Sequence, residues 1–208
     1  MDQATSPLDY ETRRFGRTPR GQRMNQRERA IAQGVLTRLP SNSLVVDVPC
    51  GLGRFSDIII GQGHRYLGID LDFASARRAA GRMSVPLPTL QASIFDLPLA
   101  KNAAGLVFSI RMFHHFFPDQ IERALREMAR VAPQCLVTFY NRRTWRIQRR
   151  RFSPRIRLKE WRGGEPWAGK SYSTDEMAAL ARKAGLRIKE KIPGHLFSSN
   201  HFLWLERL

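Results

Sequence analysis

The apolar and polar positions along the chain follow two alternating patterns. Short apolar runs predict strands, and the longer stretches between them, whose apolar residues recur every three or four positions, predict helices. The predicted strands are 44–48, 65–69, 88–92, 105–110, 135–139, 186–191 and 201–206. The predicted helices are 23–38, 53–62, 74–83 and two more that begin near residues 119 and 173.

Local signals mark some of the helix ends. Asp119–Glu122 and Ser173–Glu176 both have the form of a capping box, in which the first and fourth residues satisfy each other's backbone N–H groups. Gly185 is expected to end the helix that Ser173 begins. Asp72 is expected to cap the helix that starts near Ala74.

Strands that alternate with helices predict an α/β fold, with a mostly parallel sheet and helices on both faces. The last two strands are joined without a helix, so they are the ones expected to be antiparallel. Residues 1–21 are polar and basic and predict a flexible arm before a single domain over 22–208. Within that domain, 141–171 is a long connection without clear periodicity, and such connections often carry function.

The segment 44–55, Leu-Val-Val-Asp-Val-Pro-Cys-Gly-Leu-Gly-Arg-Phe, is the most informative one. A β-branched apolar run ends in Asp47, and the two glycines that follow, Gly51 and Gly53, allow close approach of the backbone to a ligand. In an open parallel sheet, ligands bind over the carboxyl ends of the strands, beside the next helix. A generic tight turn from strand to helix is the alternative interpretation.

A second acid, Asp70, ends the next apolar run, Tyr66-Leu-Gly-Ile-Asp. A carboxylate at that position can accept two hydrogen bonds from the neighbouring hydroxyls of a ribose. The two segments together predict a ligand that contains adenosine. They leave open whether that ligand is S-adenosylmethionine or NAD.

Four segments, in order, resemble the class I S-adenosylmethionine-dependent methyltransferases. They are 47–53, 66–72, Leu-Gln-Ala-Ser-Ile-Phe-Asp-Leu-Pro-Leu at 90–99, and Gly-Leu-Val-Phe-Ser-Ile-Arg-Met-Phe-His-His-Phe at 105–116. Pro49 replaces the family's first glycine, and Gly105 replaces its usual aspartate. The resemblance implies seven strands with the last one reversed, and methyl transfer from S-adenosylmethionine. An NAD-dependent oxidoreductase is disfavoured because the third glycine of the dinucleotide motif is missing.

The resemblance also implies which residues bind the cofactor. They are Asp47, Pro49, Gly51, Gly53, Asp70, Leu71, Ser93, Ile94 and Ser109. Ser93 stands where the family has an acid that bonds the adenine amino group. Its hydroxyl, or the backbone of Ile94, is expected to make that contact instead.

His114 and His115 follow the fourth strand, where the acceptor approaches the methyl group in the family. Histidine suits removal of a proton from a hydroxyl acceptor at neutral pH, and we favour His114 as the base. A structural role for both rings is the alternative. The candidate acceptor-binding residues are Arg111, Tyr140 and Asn141, since the strand ends are expected to share one crevice. No spacing of cysteine and histidine suggests a metal site.

The formal net charge of the chain is +17, and the charge is concentrated in one stretch. Ten arginines and lysines lie between Arg142 and Arg162, against Glu160 as the single acid, with Trp145, Phe152 and Trp161 among them. Such a surface attracts phosphate-rich partners, so RNA or an anionic membrane surface is a candidate partner. A solvated cationic face without a dedicated partner is the alternative.

We therefore predict a methyltransferase that acts on oxygen or nitrogen of a small or lipid-linked, anionic acceptor. An RNA methyltransferase is the first alternative, because Ser109-Ile110 with His114-His115 resembles tRNA wobble-uridine enzymes. A methyltransferase-like protein without turnover is the second, in view of Pro49, Ser93 and Gly105.

Three features predict a cytoplasmic location. The amino terminus lacks the pattern of a signal peptide, and the two cysteines do not form a disulfide framework. The apolar runs are all shorter than the roughly 20 residues that a transmembrane helix needs.

Overall fold

The computed structural model describes residues 16, 18–145, 147–148, 154, 158, 161, 170–192 and 200–208. Its helices are α1 (Pro19–Leu36), α2 (Ser56–Gly61), α3 (Phe73–Ala80), α4 (Pro118–Val131) and α5 (Thr174–Lys183). Its strands are β1 (Leu44–Asp47), β2 (Arg65–Asp70), β3 (Thr89–Gln91), β4 (Leu106–Ser109), β5 (Gln134–Tyr140), β6 (Leu186–Ile192) and β7 (Asn200–Arg207). A 3₁₀ turn covers Phe113–His115.

The strands form a seven-stranded sheet in the order β3-β2-β1-β4-β5-β7-β6. Strand β2 pairs parallel with both β1 and β3, whereas β7 is antiparallel to both β5 and β6. The predicted α/β class, with a mostly parallel sheet and a reversed last strand, is therefore confirmed. The chain also divides into two compact units, between Val107 and Phe108.

In the first unit, the core lies between the strands and the helices that connect them. Val45 and Val46 of β1, Ile69 of β2, Ile59 of α2 and Ala79 of α3 are all fully buried. Because β1 is apolar on both faces, it has the burial of a central parallel strand. Its last residue, Asp47, is the exception to this apolar pattern.

Helix α1 begins inside the stretch that was predicted to be an arm. Pro19 occupies the first turn, and the hydroxyl of Thr18 accepts a hydrogen bond from Gly21 N at 3.0 Å. Proline at the first helical position and threonine at the cap are standard start signals, so the predicted start at residue 23 is too late. Residues 1–15, which include most of the predicted arm, lie outside the described residues.

In the second unit, α4 and α5 pack beside β5, β6 and β7. The largest fully buried side chains of this unit are Phe108, Phe113, Ile121, Leu125, Met128, Leu136, Phe139 and Trp204. The predicted capping box of α5 is confirmed, since Glu176 N donates to Ser173 Oγ and Ser173 N donates to Glu176 Oε2. Gly185, with φ +78°, follows the end of this helix as predicted.

The predicted capping box at Asp119–Glu122 is wrong. Helix α4 begins at Pro118, and Phe117 N donates to Gln120 Oε1 at 2.9 Å. Phe117 has no side-chain acceptor, so one half of a capping box is missing. The rigid φ of Pro118 fixes the helix start one residue before Asp119, the acid that resembled a cap.

Gly68 of β2 leaves room for two side chains beneath the turn that follows β1. A Cβ at this position would lie 2.7 Å from Tyr66 Oη and 3.1 Å from Cys50 Sγ. Tyr66 and Cys50 are both buried, so neither can move away freely.

We therefore expect Gly68→Ala to lower the free energy of unfolding by about 1–3 kcal/mol, the usual cost of overpacking. Gly34→Ala is the matched control, because a Cβ in this part of α1 would meet nothing within 4 Å. It should raise the free energy of unfolding by about 0.5–1 kcal/mol. Urea denaturation measures both changes, and equal effects of the two substitutions would contradict the packing account.

Candidate functional site

Two backbone N–H groups hold the side chain of Asp70 at the carboxyl end of β2. Gly51 N donates to Oδ2 at 2.8 Å, and Asp72 N donates to Oδ1 at 3.0 Å. A carboxylate oxygen has two lone pairs, so each of these oxygens can accept one more hydrogen bond. The carboxylate is therefore fixed in orientation and able to accept from two neighbouring hydroxyls.

The turn after β1 is bonded to the tip of β2. Gly51 and Gly53 have φ of +54° and +69°, a left-handed conformation that glycine adopts without steric cost. Cys50 N donates to Ile69 O at 2.9 Å, in addition to the bond from Gly51 to Asp70. A Cβ at Gly53 would also lie 3.3 Å from Ala79 Cβ. Pro49, which replaces the family's first glycine, precedes this turn and follows a cis peptide bond.

Asp47 is buried in a polar cluster beneath the turn. Tyr66 Oη donates to its Oδ2 at 3.5 Å. Burial raises the pKa of Asp47 to about 8, and the nearby charge of Asp70 adds to the rise, whereas Arg54 opposes it. The Asp47 side chain is therefore mostly protonated at neutral pH.

Large apolar side chains flank Asp72 just beyond Asp70. Leu71 is 68% exposed and Phe73 is 59% exposed. Between them, Asp72 caps α3 by accepting from Ser75 N at 2.9 Å and Ser75 Oγ at 2.7 Å, which confirms its predicted role. Small-molecule sites combine apolar surface with a few oriented polar groups, and Leu71 beside Asp70 has that combination.

Ser93 and Ile94 lie in a tight turn after β3. Ser93 Oγ accepts a hydrogen bond from Phe95 N at 3.2 Å, and the side chain of Ile94 is buried. A hydroxyl that accepts one hydrogen bond keeps its proton to donate. Ser93 can thus donate to a ring nitrogen, a contact that the acid of the family cannot make when it is ionised.

In the second unit, Ser109 is the last residue of β4, and Arg111 lies two residues after it. Ser109 is fully buried, and its Oγ has no hydrogen-bond partner within the part of the chain that the structure describes. Arg111 has a left-handed φ of +65°, and its N donates to Thr138 Oγ1 at 2.7 Å. Residues held in such a conformation cluster at functional sites. The sequence carries no signal for this conformation of Arg111.

In the second unit, the ring of His114 is stacked on that of Tyr140 and tilted by 42° against that of His115. The ring centroids of the two histidines are 3.9 Å apart, and those of His114 and Tyr140 are 4.3 Å apart. Burial, together with the charge of Lys170, lowers the pKa of His115. A neutral imidazole at pH 7 is able to accept a proton. Sequence reasoning missed Lys170, because it is distant along the chain and belongs to no motif.

The side chain of Asn141, a predicted acceptor-binding residue, is bonded within the protein. Its Oδ1 accepts from Arg143 N at 2.9 Å, and its Nδ2 lies 3.4 Å from both Thr174 Oγ1 and His201 Nδ1. These contacts fix the chain where it leaves β5. Asn141 thus has a clear structural role, and its part in acceptor binding stays a prediction.

The first two arginines of the basic stretch form ion pairs with the start of α5. Arg142 Nε donates to Glu176 Oε2 at 3.0 Å, and an Arg143 nitrogen lies 3.2 Å from Asp175 Oδ2. The charged residues between 146 and 162 lie outside the described residues. The ion pairs reduce the charge that Arg142 and Arg143 present to a phosphate.

The described residues include no group of three or more histidines, cysteines, aspartates and glutamates arranged to hold a metal ion. None of the helices they form has the length and apolar character needed to cross a membrane. Cys50 and Cys135 are both buried and unbridged.

Sequence comparison identifies a known domain in the middle of the chain. Residues 46–134 match the family model described as a methyltransferase domain. This range begins in β1 and ends at the start of β5, so it includes the turn, Asp70, His114 and His115. A search of curated proteins finds no match.

Solved structures extend the likeness over nearly the whole chain. Magnesium protoporphyrin IX methyltransferase from Synechocystis PCC 6803 with bound SAH has a TM-score of 0.73 and 13% identity, over 98% of this chain and 95% of that one. A SAM-dependent methyltransferase from Aquifex aeolicus has a TM-score of 0.65 and 18% identity, over 98% of this chain and 99% of that one. A Haloferax volcanii structure of a methyltransferase with a methyltransferase activator has a TM-score of 0.68 and 18% identity, over 97% of each chain. At these identities the likeness establishes the fold.

The raised pKa of Asp47 predicts how stability depends on pH. The folded state favours the protonated carboxyl, so the associated stability is complete below the ordinary value of 3.8 and is lost as the pH rises through about 8. Asp47→Asn should therefore become more stable relative to the wild type across this range, by up to about 1.4 kcal/mol per pH unit. Denaturant unfolding at several pH values measures the difference. A difference that stays constant with pH would contradict the burial of an ionisable group here.

Proposed function

We propose that the chain is a class I S-adenosylmethionine-dependent methyltransferase, which methylates oxygen or nitrogen of a small or lipid-linked, anionic acceptor. The observation that carries the proposal is the geometry of Asp70. Its carboxylate is oriented by Gly51 N and Asp72 N and keeps acceptor capacity on both oxygens. An oriented carboxylate at this strand end suits the two hydroxyls of a ribose.

The other residues of the first unit fit the same ligand. Leu71 offers apolar surface to the adenine ring, and Ser93 offers a hydroxyl proton to it. Gly51 has a left-handed φ and open space where a Cβ would stand, which supports close approach of a ligand to this turn. S-Adenosylmethionine supplies a methyl group on a sulfonium, whose transfer leaves a neutral thioether. The protein therefore has no leaving-group charge to stabilise, and it contributes alignment and exclusion of water.

The second unit carries the groups that we assign to the acceptor. We assign to His114, whose ring contacts those of His115 and Tyr140, the removal of the proton of a hydroxyl acceptor as the new bond to carbon forms. The cations Arg111 and Lys170 support an acceptor of negative charge. Burial and the charge of Lys170 both lower the pKa of His115, which supports a cationic surrounding for the acceptor.

RNA remains the second candidate acceptor. The net charge of +17 favours it. The ion pairs of Arg142 and Arg143 with α5 count against it, because they occupy the described part of the basic stretch. The net charge also supports an anionic membrane surface, which we propose as an alternative partner of the basic stretch.

Loss of turnover has less support, because two of the three departures from the family have local explanations. A Cβ at Gly105 would lie 3.0 Å from Ser43 Cβ, so a larger residue would not fit at this strand entrance. Ser93 retains a donor towards the base. Nothing in the structure explains Pro49.

The unbridged cysteines support the cytoplasmic location that we propose for the enzyme.

We expect Asp70→Ala to weaken binding of S-adenosylhomocysteine about 10- to 100-fold, because hydrogen bonds to a charged group contribute about 1.5–3 kcal/mol. Asp72→Ala is the matched control. It removes the cap of α3, which should lower stability slightly and leave affinity nearly unchanged. Isothermal titration calorimetry measures both affinities. Equal affinity of Asp70→Ala and wild type would refute the assigned ribose contact.

We expect His114→Ala to lower kcat at neutral pH by about 100-fold or more, with unchanged affinity for S-adenosylhomocysteine. Part of the activity should return at higher pH, where a hydroxyl acceptor ionises without help. The assay is incorporation of labelled methyl groups, with acceptors found by screening small anionic metabolites, lipids and RNA. A silent substitution would remove His114 as the base, and incorporation into RNA alone would overturn the proposed acceptor class.

A further inference from the structure

Polar side chains on one face of α1 contact the residues that follow the glycine turn. Asn25, Glu28 and Arg29 are spaced by three and four positions and therefore lie on the same side of the helix. Their partners are Arg54, which follows the turn directly, and Asp57 in the first turn of α2. None of these five residues lies in the four segments that resemble the methyltransferase family.

Arg54 is the centre of this contact. Its guanidinium donates to Asn25 Oδ1 at 2.6 Å and to Glu28 Oε2 at 2.7 Å, and it lies 4.2 Å from the centroid of the Phe55 ring. Arg54 is 8% exposed and Glu28 is 3% exposed. Burial of an ion pair has a high desolvation cost, and an apolar pair of similar size is often as stable. Stability alone therefore does not account for a buried arginine and glutamate at this position.

Arg29 binds the carbonyl group of Arg54 and the carboxylate of Asp57. One guanidinium nitrogen donates to Arg54 O at 2.7 Å and to Asp57 Oδ1 at 2.9 Å, and the other donates to Asp57 Oδ2 at 2.5 Å. Burial acts to raise the pKa of Asp57, but the hydrogen bond and the charge of Arg29 outweigh it and hold that pKa below its usual value. Helix α1 thus contacts Arg54 through both its side chain and its carbonyl group.

We propose that Glu28 and Arg29 are positioning residues that hold the glycine turn in the conformation that binds S-adenosylmethionine. The inference rests on the proposed function, since cofactor binding by the turn is its readout. The turn runs from Gly51, whose N–H orients Asp70, to Arg54, which α1 holds. If the second end of the turn were released, the hydrogen bond from Gly51 would be weakened although no ligand contact had been removed.

The main test replaces the buried ion pair by apolar side chains of similar size. In the double variant Glu28→Leu, Arg54→Met, we expect a Tm within a few degrees of the wild type and an affinity for S-adenosylhomocysteine at least tenfold weaker. The matched control is Glu122→Leu, Arg126→Met, which removes an exposed ion pair of 2.6 Å on α4. This control should bind S-adenosylhomocysteine like the wild type.

A second variant covers the case in which the double variant does not fold. Arg29 is partly exposed, so Arg29→Gln is expected to fold, to bind S-adenosylhomocysteine several-fold more weakly, and to show faster amide hydrogen exchange at Gly51 and Gly53 without ligand. Arg29→Lys, which keeps the charge, should recover part of both effects.

The outcomes separate this inference from the proposed function. If the wild type and the control bind and a folded Glu28/Arg54 variant binds equally well, or if Arg29→Gln leaves both affinity and exchange unchanged, the positioning role is overturned and the proposed function stands. If the wild type itself does not bind S-adenosylhomocysteine, both fail.

Discussion

The hydrogen bond from Gly51 N to Asp70 Oδ2 joins the two sequence segments on which the site depends. It requires the left-handed conformation of Gly51, and the parallel pairing of β1 with β2 brings the turn to the tip of β2. The same bond orients the carboxylate and leaves its remaining lone pairs for a ligand. Fold and cofactor site therefore depend on one contact. The packing beneath the turn requires the missing side chain of Gly68 and includes the buried Asp47.

Most of the fold follows from local sequence pattern. The strands are predicted within one or two residues, because β-branched apolar runs between turn residues have few other interpretations. The errors lie at helix starts. Pro19 and Pro118 begin helices earlier than the apolar periodicity indicates, since proline fixes the first turn before the first buried residue appears. The box at Ser173 was predictable because it depends on a contact within four residues.

The site divides in the same way between local and distant contacts. The position of Asp70 at the tip of β2 and the cap at Asp72 were predictable, since each follows from a place at a strand end or helix start. The roles of Lys170 beside His115 and of Arg29 beside Arg54 depend on residues far apart in the chain, and no single-sequence pattern reports such contacts. The basic stretch illustrates the opposite error, because its charge count overlooks the ion pair between Arg142 and Glu176.

The central claim is that Asp70 recognises the ribose hydroxyls of S-adenosylmethionine. It is tested most directly by titrating S-adenosylhomocysteine and its 2′,3′-dideoxyribose analogue into the wild type and into Asp70→Ala. The account predicts that the wild type binds the analogue about 10- to 100-fold more weakly than the parent compound, and that the variant binds the two equally. An equal loss of affinity in both proteins would place the hydroxyls elsewhere and contradict the account.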